Sequence, residues 1–140
     1  MSDRVFLDAN ILVSAAWRSD SGLVTLWALT GIELLTSAYA ILEADRNLAT
    51  PEQRTRLYRL IQRVEIVDEP KSRTLPPGVK LPDKDVPILL AAIESGAAFL
   101  LTGDKDHFGV YFGRVIGGVE VLRPRDYLAR RRQSNGDHQQ

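Results

Sequence analysis

The sequence predicts an α/β fold in which a mainly parallel sheet is covered by helices on both faces. Three observations carry that prediction. Short β-branched or apolar runs alternate with segments of helical periodicity, an order that calls for parallel strands joined by right-handed crossovers. The run Ala97 to Thr102 is apolar without alternation, as expected of a strand buried on both faces. Acidic residues recur just past strand ends and at helix starts, and the carboxyl ends of strands are where open α/β sheets bind ligands.

Arg4 to Leu7 reads as the first strand. It stops at Asp8-Ala9-Asn10, and Ile11 to Trp17 follows as a helix that Asp8 or Asn10 can cap. Asp20-Ser21 restarts a helix through Leu23, Trp27 and Leu29, which Gly31 ends, and Ile32 to Thr36 forms a second buried strand. The helix Ala38 to Leu48 offers Tyr39, Ile41, Leu42 and Leu48 to the core. Glu43 lies among them and also stands three residues before Arg46, the spacing of a surface ion pair.

Thr50-Pro51-Glu52-Gln53 is a helix opening in which Thr50 caps, Pro51 takes the first helical position and Gln53 completes a capping box. That helix runs to about Arg63, with Leu57, Leu60 and Ile61 inward and Arg54, Arg56, Arg59 and Arg63 largely outward. Val64 to Val67 is the third strand. Glu69 to Pro82 carries four prolines and Gly78, so it reads as extended loop, of a length that is commonly functional in compact domains.

The central stretch follows, from Leu81 to Phe108. Val86, Leu89, Leu90 and Ile93 fall at i, i+3, i+4 and i+7 and give one apolar helical face, terminated by Gly96. The strand Ala97 to Thr102 then runs into Asp104 and Asp106. Gly109 to Gly118 reads as irregular, Val119 to Leu122 as a last strand and Pro124 to Arg132 as a terminal helix. Residues 1–132 are thus expected to form a single domain, and residues 133–140 a polar, disordered tail.

Composition narrows the chemistry. With no cysteine and only His107 and His138, disulfides, thiolate zinc sites and multi-imidazole sites are excluded. A bound metal would be held mainly by oxygen, which suits Mg²⁺ or Mn²⁺. The 18 basic residues balance 18 acidic ones, so nucleic-acid contact would depend on local patches. No apolar segment approaches a membrane span and the first residues lack a signal peptide's pattern, so a cytoplasmic protein with no membrane association is expected. No G-x-G-x-x-G follows the first strand, no Walker lysine motif occurs, and His107 lacks a nucleophile elbow, which leaves it a loop residue near the acids.

In a parallel sheet, Asp8 after the first strand and Asp104 after the fourth share one edge. Asp85 begins the helix leading into the fourth strand, which puts it on the opposite edge unless the proline-rich loop crosses over. Carboxylates about 4 Å apart repel by roughly 4 kcal/mol at an effective dielectric near 20. A pocket of them therefore needs a cation or a shared proton. A divalent ion filling such a pocket suits hydrolysis of a phosphodiester without a covalent intermediate.

Asp8 in FLDANIL, Glu43 in SAYAILEADRNL, Asp85 in DKDVPILLAA and Asp104 in LLTGDKDHF together resemble the acidic quartet of the PIN domain family, which includes the toxins of VapBC-type toxin–antitoxin pairs. The match in order and spacing extends over about residues 4 to 122. The resemblance implies a three-layer α/β/α sandwich around a mainly parallel sheet of about five strands, Mg²⁺- or Mn²⁺-dependent ribonuclease activity, a homodimer, and a small antitoxin that occludes the site. It further implies that Asp8, Glu43, Asp85 and Asp104 are catalytic metal ligands and Asp106 a fifth acid. In this family the helix start at Asp85 approaches the pocket.

Asn10 and Thr102 match polar positions that steady the quartet by hydrogen bonds, while Asp83 is assigned to capping or loop structure. Arg123, Arg125, Arg130 and Arg131 belong to the densest basic cluster and are candidates for contact with RNA or a partner. Three other readings suit a chain of this pattern: a PIN-like binding module without cleavage, a Mg²⁺-dependent phosphatase, and a receiver-like signalling domain. Retention of all four acids disfavours the first. The residue two after Asp8 is Asn10, not the second aspartate of a phosphatase motif, and Lys105 is only a loose match to a receiver's lysine.

Overall fold

The computed structural model describes the backbone of residues 2–138 and the side chains of residues 2–134. Its elements run β1 (Asp3–Leu7), α1 (Ala9–Trp17), a 3-10 turn (Gly22–Val24) into α2 (Thr25–Ala28), β2 (Ile32–Ser37), α3 (Ala38–Asn47), α4 (Pro51–Ile61) and β3 (Glu65–Val67). There follow α5 (Val86–Glu94), β4 (Phe99–Leu101), α6 (Lys105–Phe108), a 3-10 turn (Gly109–Tyr111), β5 (Val115–Ile116), β6 (Val119–Leu122) and α7 (Pro124–His138). The capping box at Thr50 and Gln53 forms in full. The strands order as β3-β2-β1-β4-β6-β5, all neighbours parallel except β5 and β6.

Strand alternation divides the core into two layers. Val5 and Leu7 of β1, Leu34 of β2, Leu101 of β4 and Leu122 of β6 pack with Ile11, Leu12, Trp27, Leu57 and Tyr127 on one face. Phe6, Leu35, Leu100 and Val121, one residue out of step, pack with Ile88, Leu89, Ala92 and Phe108 on the other. Helices α1, α2, α4 and α7 thus cover one side and α5 and α6 the other, a three-layer α/β/α sandwich.

Among the described residues the sheet has six strands, where the resemblance implied about five. The added strand lies inside the stretch read as irregular: β5 returns into β6 through Gly117-Gly118, whose φ values of 58° and 87° are both positive. A two-residue hairpin turn of that hand requires left-handed backbone at both positions, and Gly-Gly supplies it. The last helix also differs from its reading. It continues past Arg132 to His138, because a run of polar residues without proline can still propagate i to i−4 hydrogen bonds. Gln139 and Gln140, the end of the expected tail, lie outside the described residues.

Sheet order also corrects the placement of Asp85. From β1 the chain steps outward to β2 and β3, then returns past β1 to lay down β4. A crossover helix runs antiparallel to its strands, so α5 begins at the carboxyl edge, where β3 ends, and no loop crossing is needed. The reversal leaves a crevice between β1 and β4 at that edge, the place where ligands bind in such sheets.

Candidate active site

A cavity of about 320 Å³ opens at the carboxyl edge between β1 and β4, lined by Asp8, Asn10, Ser14, Tyr39, Glu43, Asn47, Lys84, Asp85, Ile88 and Asp104 among others. Four acids separated by up to 96 positions in the sequence therefore meet at one opening. Each arrives by a different local device.

Asp8 follows β1 directly and is the N-cap of α1, its Oδ1 accepting from the Ala9 N–H at 2.6 Å. Leu7 pairs with Leu101 across β1 and β4, which sets Asp8 beside Thr102. The buried Thr102 hydroxyl donates to Asp8 Oδ2 at 2.8 Å, and the Asn10 amide donates to the same oxygen at 3.2 Å. Asn10 is itself oriented by the Gly103 N–H, which donates to its Oδ1 at 2.9 Å. Burial pushes the Asp8 carboxyl up to about 6, and the charges of Asp85 and Asp104 push the same way, against the hydrogen bonds from Thr102 and Ala9.

Asp104 lies just past β4 and caps α6. Its Oδ1 accepts from the His107 N–H at 3.1 Å, and its own N–H donates to Thr102 Oγ1 at 3.1 Å. Asp85 precedes α5 and makes no capping bond, so its carboxylate is free to face the cavity. It is only 5% exposed, and burial raises its pKa against the opposing pull of Lys84 and His107. Glu43 lines the opening from α3 while pairing with Arg46 at 3.2 Å, so the surface-pair and pocket readings of this residue both hold. The Tyr39 hydroxyl donates to the Lys84 carbonyl at 2.6 Å, tying the start of α3 to the approach to α5. Its pKa is raised by burial and by the charges of Glu43, Asp85 and Asp8.

The model of the PIN domain family matches residues 4–106. The chain belongs to the PIN domain family. Among solved structures, the PIN domain is similar to a chain in the crystal structure of VapBC2 from Rickettsia felis bound to a DNA fragment from their promoter. The two are 18% identical with a TM-score of 0.64, over 86% of this chain and 98% of that one. No curated protein matches it in sequence.

His107 is the residue of this PIN domain that sequence reasoning undervalued. It lies in α6 rather than in a loop, and its Nδ1 stands 2.8 Å from Asp104 Oδ2 and 2.9 Å from Asp85 Oδ2. The i to i+3 spacing from Asp104 was the available signal, since positions three apart share a helix side. Asp106 falls off that side. It is exposed and absent from the cavity lining, so the structure does not bring it to the other acids. Lys84 was also missed; its Nζ lies 3.6 Å from Asp85 Oδ1 at the cavity rim. Asp83 is exposed and lines a neighbouring groove.

None of the four arginines singled out lines the cavity. Arg130 holds Glu120 with two hydrogen bonds of 2.7 Å, Arg123 pairs with Asp126 at 2.9 Å, and Arg131 donates to the Thr30 carbonyl and approaches Asp3. Arg125 is exposed on α7. Helix α7 runs away from the carboxyl edge, so Arg131 reaches the opposite end of the sheet, where Asp3 begins β1.

The donor set fits a hard divalent cation. Asp8, Glu43, Asp85 and Asp104 offer carboxylate oxygens, and Asp85, Asp104 and His107 each present a ligand atom within 4.8 Å of the others. His107 Nδ1 has hydrogen-bond geometry to Asp104 Oδ2 at 2.8 Å, while among the described residues Asp85 Oδ2 is buried without a hydrogen-bond partner. A buried anionic oxygen left unpaired is costly, and a cation in the cavity would satisfy it. Among the described residues no helix is long and apolar enough to cross a membrane.

Proposed function

We propose that this PIN domain is a divalent-metal-dependent endoribonuclease that hydrolyses RNA phosphodiesters, and that it is the toxin half of a type II toxin–antitoxin pair. The observation that carries the reading is the convergence of Asp8, Glu43, Asp85 and Asp104 on one cavity in which a buried Asp85 oxygen has no hydrogen-bond partner among the described residues. The likeness to the VapBC2 structure supports the toxin–antitoxin setting, and with it a small antitoxin as partner; the homodimer is proposed on the family resemblance alone. Family membership supports the nuclease chemistry.

Asp8, Glu43, Asp85 and Asp104 would hold Mg²⁺ or Mn²⁺, which when bound supplies charge neutralisation at a phosphodiester and acidifies water. The chain's own part is to keep those carboxylates fixed. Thr102 and Asn10 clamp Asp8, and Thr102 and the backbone of His107 fix the start of α6 on which Asp104 sits. Lys84 brings a positive charge to the rim, suited to a phosphate oxygen of the substrate strand. The cavity walls contributed by Val13 and Ile88 are apolar and strengthen the electrostatics inside.

The test is cleavage of labelled RNA by the purified protein in Mg²⁺, in Mn²⁺ and in EDTA. Cleavage should need the metal and vanish in Asp104→Asn while the variant keeps its circular dichroism. Cleavage at the parental rate in EDTA, or by Asp104→Asn in Mg²⁺, would refute the assignment.

A further inference from the structure

Building on the metal site proposed above, we propose that His107 is itself a ligand of the bound cation, through Nδ1, and that this imidazole shifts the preference of the site from Mg²⁺ toward Mn²⁺. Three observations lead there. The first is spacing. Nδ1 lies 2.8 Å from Asp104 Oδ2 and 2.9 Å from Asp85 Oδ2. Neighbouring ligands on a six-coordinate cation with bonds of about 2.1 Å stand about 3 Å apart, the bond length multiplied by √2. The nitrogen already keeps that spacing to each oxygen, and all three ligand atoms lie within 4.8 Å of one another, close enough to share one ion.

The second is the orphaned Asp85 Oδ2. Asp85 is 5% exposed, and among the described residues no donor serves that oxygen although the imidazole nitrogen is in contact with it. An Nδ1–H can serve only one of its two carboxylates. An ion held by Nδ1 and both oxygens would satisfy all three. The third is accessibility of the other ring nitrogen. The His107 side chain is 35% exposed, so solvent can receive a hydrogen carried on Nε2, and that tautomer presents the Nδ1 lone pair inward.

The consequence is chemical. A set of oxygens alone favours hard cations, whereas an imidazole adds affinity for first-row transition ions and little for Mg²⁺. The rival role for His107 is that of a hydrogen-bond donor that orients Asp104, with no lone pair for the ion. The two roles differ in whether a nitrogen touches the metal.

Mn²⁺ bound to the full chain distinguishes them by electron paramagnetic resonance. Pulsed spectra of the parent should show coupling of the ion to a nitrogen nucleus, and His107→Gln should lose it. In calorimetric titrations His107→Gln should weaken Mn²⁺ binding on the order of tenfold and change Mg²⁺ binding by less than about threefold. Mn²⁺ that binds the parent, is lost in Asp104→Asn and yet shows no nitrogen coupling would overturn the ligand role of His107 alone. Failure of Mn²⁺ to bind the parent, or binding indifferent to Asp104→Asn, would overturn the metal site with it.

Discussion

Replacing Asp8 by asparagine should stabilise the metal-free protein at neutral pH, although it removes a buried, hydrogen-bonded residue. In the folded chain burial pushes the Asp8 carboxyl up to about 6, from an ordinary value of 3.8. A carboxyl whose folded pKa exceeds its unfolded one takes up a proton on folding between those values. Its contribution therefore favours folding at acid pH and is lost as pH rises through about 6. At 1.36 kcal/mol per pKa unit the difference comes to about 3 kcal/mol above that pH, and to nothing below about 3.8, where both states are protonated.

Asparagine escapes that penalty and weakens some hydrogen bonds. The Gly103 N–H fixes the Asn10 amide, so a new amide nitrogen in place of Asp8 Oδ2 would face the Asn10 amide nitrogen and the Thr102 hydroxyl. Two weakened bonds cost about 2 kcal/mol. The variant should then be about 1 kcal/mol more stable than the parent at pH 7.5, and about 2 kcal/mol less stable near pH 4. The assay is urea denaturation of both proteins in EDTA across that range, read as the difference between them so that other titrations cancel. A deficit of similar size at both pH values would refute the reasoning, because it would make Asp8 a structural cap whose charge is no burden. Added Mg²⁺ should stabilise the parent and not the variant.

Two further outcomes test the frame around the site. Thr102→Val deletes a fully buried hydroxyl that donates to Asp8 and accepts from the Asp104 N–H and the Asn10 amide; it should cost about 2 kcal/mol in urea denaturation, with Thr102→Ser recovering most of it, and an unchanged midpoint would show the network contributes nothing. Gly117→Ala should lose about 1–2 kcal/mol, since its φ of 58° strains an L residue and a Cβ would meet Ile93 Cδ1 at 2.8 Å. A midpoint equal to the parent's would mean the β5–β6 turn relaxes freely.

Much of the architecture was legible because its signals are local. The capping box at Thr50 to Gln53 formed as spelled, Gly31 and Gly96 adopt positive φ after α2 and α5, and the apolar run before Asp104 supplies β4, shorter than read and paired on both sides by β1 and β6. The missed strand was legible too: Gly-Gly between Val115-Ile116 and Val119 is a hairpin signal, outweighed by the glycine content of the segment around it. The residues alone left the edge of Asp85 open, because the direction of the helix was not used to settle it; the resemblance placed Asp85 at the pocket, whose lining includes it.

What the sequence by itself determined is the strand and helix alternation and which side chains share a face of an element, because backbone periodicity and capping act within a few residues. The separation of His107 from Asp106 waited for α6 to be seen, since 105–108 was not read as a helix. Only the tertiary structure decided that Asp8, Glu43, Asp85 and Asp104 line one cavity, that Thr102 holds Asp8, and that the arginines of α7 are drawn into ion pairs away from it. Those contacts join positions as much as 128 residues apart, as Asp3 and Arg131 are. They depend on strand order, and the return of the chain past β1 to lay down β4 is a choice made by burial of the whole sheet, which no local pattern encodes.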